Sequence, residues 1–398
     1  MTPKSPLYSF NEKRAGLESG QDSRLLQILK WLIVLGAVSY LAVGLYCYLN
    51  GSVSDLVRRW REAGYWLEGY DPIQVARSGK PYLAAYGRMF PGDGYPPWAY
   101  VYALLTASPL LPFRVAKAIF LLLNLSAMAG LAYLIRRVYQ SSRNSDQWPV
   151  LFATALCCSA VTVALRWQQY GILVTVLIWA SLYFEEKSWP FLAGLALAFA
   201  FIKPQTAALF FLLPLVRKSF RTCLWCLAIL SAATGIAAWR CHTWPWVLFI
   251  ETFDAGVSNW FYLGIGDPLK NIIGYKPLLW ASIGLSVPLV FVLLARWQAA
   301  PIYHLAAVPA VFSSFWMSHR NHDLMIVSLL AVPLFSLALE QRQVKAIILM
   351  VLIAYCFPHF AMFYGEAQLW LVPLLFRLTW LLGLIYLLEP NKYTKLNS

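Results

Sequence analysis

The sequence predicts an all-α polytopic membrane protein, and three observations carry that prediction. Of 398 residues, 60% are hydrophobic and 13% charged, with a mean hydropathy of +0.59, whereas soluble domains carry about 25% charged residues. Apolar runs near the bilayer-crossing length of about 20 residues recur from end to end. Those runs are continuous rather than alternating, which excludes a transmembrane barrel. Together they give about 12 spans in one transmembrane domain, 26–390, with no soluble domain and no internal repeat.

The tail 1–25 and the start of the first span carry Lys4, Lys13, Arg14, Arg24 and Lys30, which places the N-terminus in the cytoplasm. A span at 26–49 then delivers a polar outer loop, 51–114. Within it, Trp98–Leu111 is apolar but short and bracketed by Pro96-Pro97 and Pro109/Pro112. An outer interfacial helix is expected there. The next span, 115–135, ends in Arg136-Arg137, which belong inside. Spans at 149–165 and 172–184 flank an outer corner, Arg166-Trp-Gln-Gln-Tyr-Gly171. Two short apolar pieces, 190–202 and 206–216, meet at Lys203-Pro204-Gln205. Further spans are expected at 223–240, 278–295, 303–317, 324–340, 345–363 and 369–388, with a cytoplasmic tail at 391–398.

The formal charge of +14 does not indicate nucleic acid, because the basic residues sit at span ends, as at Arg217-Lys218 and Lys392/Lys395. Seven cysteines show no metal spacing. Cys223-Leu-Trp-Cys226 lies inside an apolar run and reads as packing. No cleavable signal peptide is expected, since the first apolar run is long and lacks a small-residue cleavage site.

This topology gathers polar residues from four separate corners on the outer face: Asp55, Glu68, Asp71, Tyr95, Arg166, Gln169, Lys203, His319, Arg320, His322 and Asp323. An ionisable residue at membrane depth is expensive and points to function. Lys203 stands between two apolar runs too short to span comfortably, as in the unwound helices that line membrane-embedded sites. The structural alternative is a lysine snorkelling to the headgroups. The outer loop is also strongly basic, with Arg58, Arg59, Arg61, Arg77, Lys80 and Arg88, which suits anionic headgroups or a lipid-borne phosphate.

The collinear order of Asp55, Gly69-Tyr-Asp71-Pro72, Tyr95-Pro96-Pro97, Gln168-Gln169-Tyr-Gly171, Lys203-Pro204 and Ser318–Asp323 resembles glycosyltransferase family 87. That family includes polyprenol-phosphate-mannose-dependent enzymes of the GT-C type. The resemblance covers about residues 30–330. Two departures stand out: Arg59 replaces a usual aromatic, and the family's Gly-Gln-x-Asn corner reads Gln168-Gln169-Tyr-Gly171.

The resemblance implies a GT-C-type bundle that moves a hexose, mannose-like, from a polyprenyl-phosphate sugar to a glycolipid or glycan acceptor on the exoplasmic face of the plasma or inner membrane. It implies Asp55 as the base of an inverting single displacement. Lys203 would hold the phosphate, with Arg320 or His319 beside it, and Gln169, Arg59, Tyr95 and Asp71 would contribute to substrate binding. It implies no cofactor and no metal. Structural alternatives stand beside these roles: Asp55 as a helix cap, Asp71-Pro72 as a turn, and Tyr95-Pro96-Pro97 as a helix start. Arg377, midway through the last span, is expected to face the interior, binding phosphate or pairing with a buried acid. Competing functions are a lipid-linked sugar flippase and a non-catalytic envelope-assembly subunit.

Overall fold

The computed structural model describes residues 6–51, 55–78, 85–86, 95–140, 145–258, 274–316, 321–340, 355 and 371–388. Every regular element among them is helical. Among the described residues three helices have the length and apolarity to cross a bilayer: Leu26–Asn50 within α1 (Pro6–Asn50), α5 (Phe113–Val138) and α12 (Phe220–Arg240). Their lipid-length faces carry exposed Trp31, Leu35, Val43, Leu122, Leu224 and Trp239, an exposure that a hydrocarbon surround makes favourable.

Several of the other predicted spans that the described residues cover are shorter or broken. The run 149–165 forms α6 (Trp148–Leu156) and α7 (Ser159–Arg166), bent by 58° at Cys157-Cys158. The runs 190–202 and 206–216 form α9 (Pro190–Ala200), a single turn α10 (Pro204–Ala207), a 3-10 turn Ala208–Phe211 and α11 (Leu212–Val216). Proline cannot donate to the helix ladder, so Pro204 accounts for the first of these breaks. The run 303–317 becomes Ile302–Leu305 and Ala307–Trp316, and 324–340 becomes the 3-10 segment Asn321–Val327 followed by Ser328–Glu340. Gly171–Glu186 (α8), Tyr275–Arg296 and Leu371–Leu387 match their expected positions. The predicted span 345–363 lies outside the described residues apart from Tyr355, whose hydroxyl donates to the Ala155 carbonyl at 2.7 Å.

Close packing positions α1 against the bent pair. A Cβ on Gly36 would stand 2.6 Å from Cys157 Sγ, and one on Gly44 2.8 Å from Leu165 Cδ1 and 3.2 Å from Thr162 Cα. Glycine is what allows these backbones to approach. The contact is sealed by Thr162 Oγ1 donating to the Tyr40 carbonyl at 2.7 Å.

Between α1 and α5 the described residues form α2 (Asp55–Leu67), α3 (Pro72–Ser78) and α4 (Pro97–Thr106). Pro96-Pro97 starts α4, as expected. One face of this helix packs into protein, with Trp98, Ala99, Tyr100, Tyr102 and Ala103 buried, while Leu105 on the other face is exposed. Trp98 Nε1 donates to the Phe201 carbonyl at 2.8 Å, and Trp66 Nε1 of α2 donates to the Ala237 carbonyl of α12 at 3.1 Å. Both indoles anchor the loop to the bundle end where Lys203 sits. Cys223 and Cys226 are buried free thiols in α12, consistent with packing. Arg377 is buried and its Nε donates to the Ser314 carbonyl at 2.6 Å.

Candidate active site

The site begins with the periodicity of α2. Asp55, Arg59 and Glu62 are spaced i, i+4, i+7, which puts them on one face of a helix, and all three are buried. α2 therefore turns its charged face inward, the reverse of a surface helix. Buried charge must be paired, and here the Arg59 guanidinium bonds Glu62 while lying 3.8 Å from the centre of the Tyr95 ring. Asp55 opens the helix. Its backbone N–H donates to the Trp167 carbonyl at 3.0 Å, and Arg58 Nε stands 3.7 Å from its carboxylate.

The Trp167 carbonyl is available because α7 ends there. Gln168 N donates to Leu165 O at 3.0 Å and Gln169 N to Ala164 O at 2.8 Å, the paired bonds of a Schellman stop. That stop needs a left-handed residue, and Gln168 supplies it at φ +53°. Glycine is favoured at such a position, and here a glutamine fills it. Gln169 Oε1 accepts from the Tyr95 hydroxyl at 3.4 Å. Tyr170 packs against the Tyr95 ring, with centroids 6.2 Å apart, and its hydroxyl meets Thr106 Oγ1 at 2.8 Å.

Lys203 comes from the break between α9 and α10. It is 1% exposed, so it does not snorkel. Instead Nζ pairs with Asp323 Oδ1 at 2.5 Å, both side chains being almost wholly buried. Asp323 lies in the first turn of the 3-10 segment Asn321–Val327, which packs on α7 and α8. The lysine expected to hold a phosphate is thus already paired with an acid from a distant corner.

These parts meet at Tyr95. Burial raises its phenol above the ordinary value, Arg59 opposes that shift, and Asp323, Asp55 and Glu62 add to it. One hydroxyl thus feels charges from α2, from the late corner and from the buried arginine together. Asp71 is oriented differently. Its Oδ1 accepts from Ile73 N at 2.8 Å, capping α3 as the turn reading expected. Burial and then the neighbouring Glu251 of α13 (Pro245–Ser258) push its carboxyl up to about 6. His319 and Arg320 lie outside the described residues.

Sequence reading missed Glu62, the pairing role of Asp323, and the buried Tyr100 hydroxyl, which feels both Glu62 and Asp71. The i, i+3 spacing of Arg59 and Glu62 was available as a signal; their burial was not, because a charged helix in a loop ordinarily faces water.

A helical protein of the membrane that buries opposed charges at one end of its bundle is the class these observations define. Residues 94–339 match glycosyltransferase family 87, which is more than half of the chain. The chain belongs to that family, and it is a membrane glycosyltransferase. The match contains Tyr95, Gln169, Lys203 and Asp323, while the Asp55 helix precedes it. No curated protein and no solved structure matches the sequence.

Proposed function

We propose that the protein transfers a hexose, mannose-like, from a polyprenyl-phosphate sugar to a glycolipid or glycan hydroxyl on the exoplasmic face, with Asp55 as base. The observation that carries this reading is the set of buried charges: Asp55, Arg59 and Glu62 on one face of α2, with the Arg59 guanidinium 3.8 Å from the Tyr95 ring centre, and the buried Lys203–Asp323 pair. Inverting transfer needs one carboxylate near a cationic patch, and such a cluster supplies both. The acceptor hydroxyl gives its proton to Asp55. Its oxygen bonds the anomeric carbon as the carbon–oxygen bond to phosphate breaks, and that electron pair leaves with the polyprenyl phosphate.

Lys203 and Arg59 meet the developing phosphate charge. Each is held beforehand by its acid, so the cations stand fixed and desolvated before the donor arrives. The leaving group is a monoester that side chains can neutralise. Gln169 and Tyr95 line the same cluster and position the sugar or acceptor by hydrogen bonds.

The test incubates the solubilised protein with a panel of polyprenyl-phosphate sugars and membrane extract, with mass spectrometry of the lipid and glycan products. Asp55→Asn is expected to fold and to lose transfer. Full activity in that variant would remove the base assignment, and transfer from a nucleotide sugar alone would remove the lipid-phosphate donor.

A further inference from the structure

At the opposite end of α5 from the candidate active site lies a second polar feature that the transfer reaction does not use. α5 starts beside α2, where Trp60 Nε1 donates to the Leu111 carbonyl at 3.0 Å. At ~1.5 Å per residue its last turn lies ~35 Å away. That turn carries Arg136 and Arg137. With Tyr133, Gln140, Asp146 and Trp148 they line a cavity of about 410 Å³.

The groove is held in shape by its own contacts. Arg137 Nε donates to the Tyr133 hydroxyl at 3.0 Å and its NH1 to Gln140 Oε1 at 3.1 Å. The Arg136 guanidinium lies 5.8 Å from the Trp148 ring centre. Behind it, Lys30 of α1 donates to Gln147 Oε1 at 2.8 Å, fixing the neighbouring turn.

A second observation points to the ligand. Leu122, Leu125, Ala129 and Tyr133 are exposed at helical spacing along α5 and lead to Arg136. This apolar stripe runs ~20 Å, longer than the ~15 Å hydrocarbon depth of one leaflet. We propose that the groove binds the phosphodiester headgroup of a membrane phospholipid, with an acyl chain along that stripe, in the leaflet facing away from the candidate active site. The arginine forks match phosphate oxygens. Asp146 on the rim repels a further negative charge, which disfavours a free phosphate dianion. Interfacial indole and phenol rings suit the glycerol level of a bilayer.

The test titrates the full-length protein in detergent micelles with phosphatidylglycerol and phosphatidylethanolamine, read by native mass spectrometry. Arg136→Gln/Arg137→Gln is compared with a control at the same bundle end, Arg217→Gln/Lys218→Gln. The first variant is expected to weaken lipid retention about thirtyfold, the sum of two headgroup contacts, while the control binds like wild type. Equal weakening in both, or wild-type binding in the first, overturns the site. Displacement of the lipid by millimolar inorganic phosphate makes it a free-anion site and overturns the lipid assignment. If the double variant does not fold, Trp148→Ala and Tyr133→Ala replace it, and unweakened retention in both overturns the proposal.

Discussion

Replacing Lys203 by alanine probes the stability and the chemistry of the site together. Lys203 Nζ and Asp323 Oδ1 are 2.5 Å apart, with side-chain exposures of 1% and 2%. At an effective dielectric of ~20 their attraction is about 7 kcal/mol, offset by several kcal/mol of desolvation per ion. The intact pair therefore adds little net stability. Removing only the lysine strands a buried carboxylate, which costs about 3–5 kcal/mol. Lys203→Ala is expected to lower the unfolding free energy by that amount in detergent, followed by tryptophan fluorescence. Lys203→Met combined with Asp323→Asn should recover most of the loss, since no uncompensated charge remains. The recovered double variant should still saturate poorly with the lipid-phosphate donor. A single variant within about 0.5 kcal/mol of wild type, or a double variant as unstable as the single, refutes the buried-pair reasoning.

Asp55→Asn keeps the backbone bond to Trp167 and an acceptor oxygen, so its melting temperature should stay near wild type while transfer falls about 10²–10⁴-fold in a single-turnover assay. Gln168→Gly removes a left-handed side-chain residue at φ +53° and should stabilise by ~1 kcal/mol in thermal unfolding; a loss would show that the Gln168 side chain outweighs its backbone strain. Gly44→Val drives new atoms toward the Leu165 side chain and the Thr162 backbone and should cost about 1–3 kcal/mol, visible as a lower melting temperature. The Asp71 carboxyl sits at about 6, above its ordinary 3.8, so the folded state binds the proton more tightly than the unfolded one. Its contribution to stability is then favourable at low pH and is lost as pH rises through 3.8 to about 6. Asp71→Asn, which can still cap α3, should flatten that fall in a series of melts spanning the window from 3.8 to about 6; an unchanged slope rejects the assignment.

What could be read from the chain followed local rules. Pro96-Pro97 announced the start of α4, Lys203-Pro204 announced a break, and Asp55 announced a helix start, because proline and capping residues act on their immediate neighbours. The partner of Lys203 could not be read, since Asp323 is 120 residues away and only tertiary packing brings them together. The length and apolarity of α4 could be read from the chain, but not that α2 and α12 would cover one of its faces, because those two properties do not distinguish a face that meets lipid from one that meets protein. The inward charged face of α2 was hidden for a related reason. Its amphipathic pattern gives the spacing of the two faces but not which one meets protein.

The bend at Cys157-Cys158 has a consequence for Asp55, the proposed base. α7 is a stiff arm of eight residues, ~12 Å long, and its tip offers the carbonyl that receives the first N–H of α2. A change of ten degrees at the pivot would carry that tip by about 2 Å, enough to release Asp55 from its anchor. The two cysteines, at the other end of α7 from Asp55, thus bear on the aim of its carboxylate. Substitutions there should surface as altered turnover before they surface as lost fold.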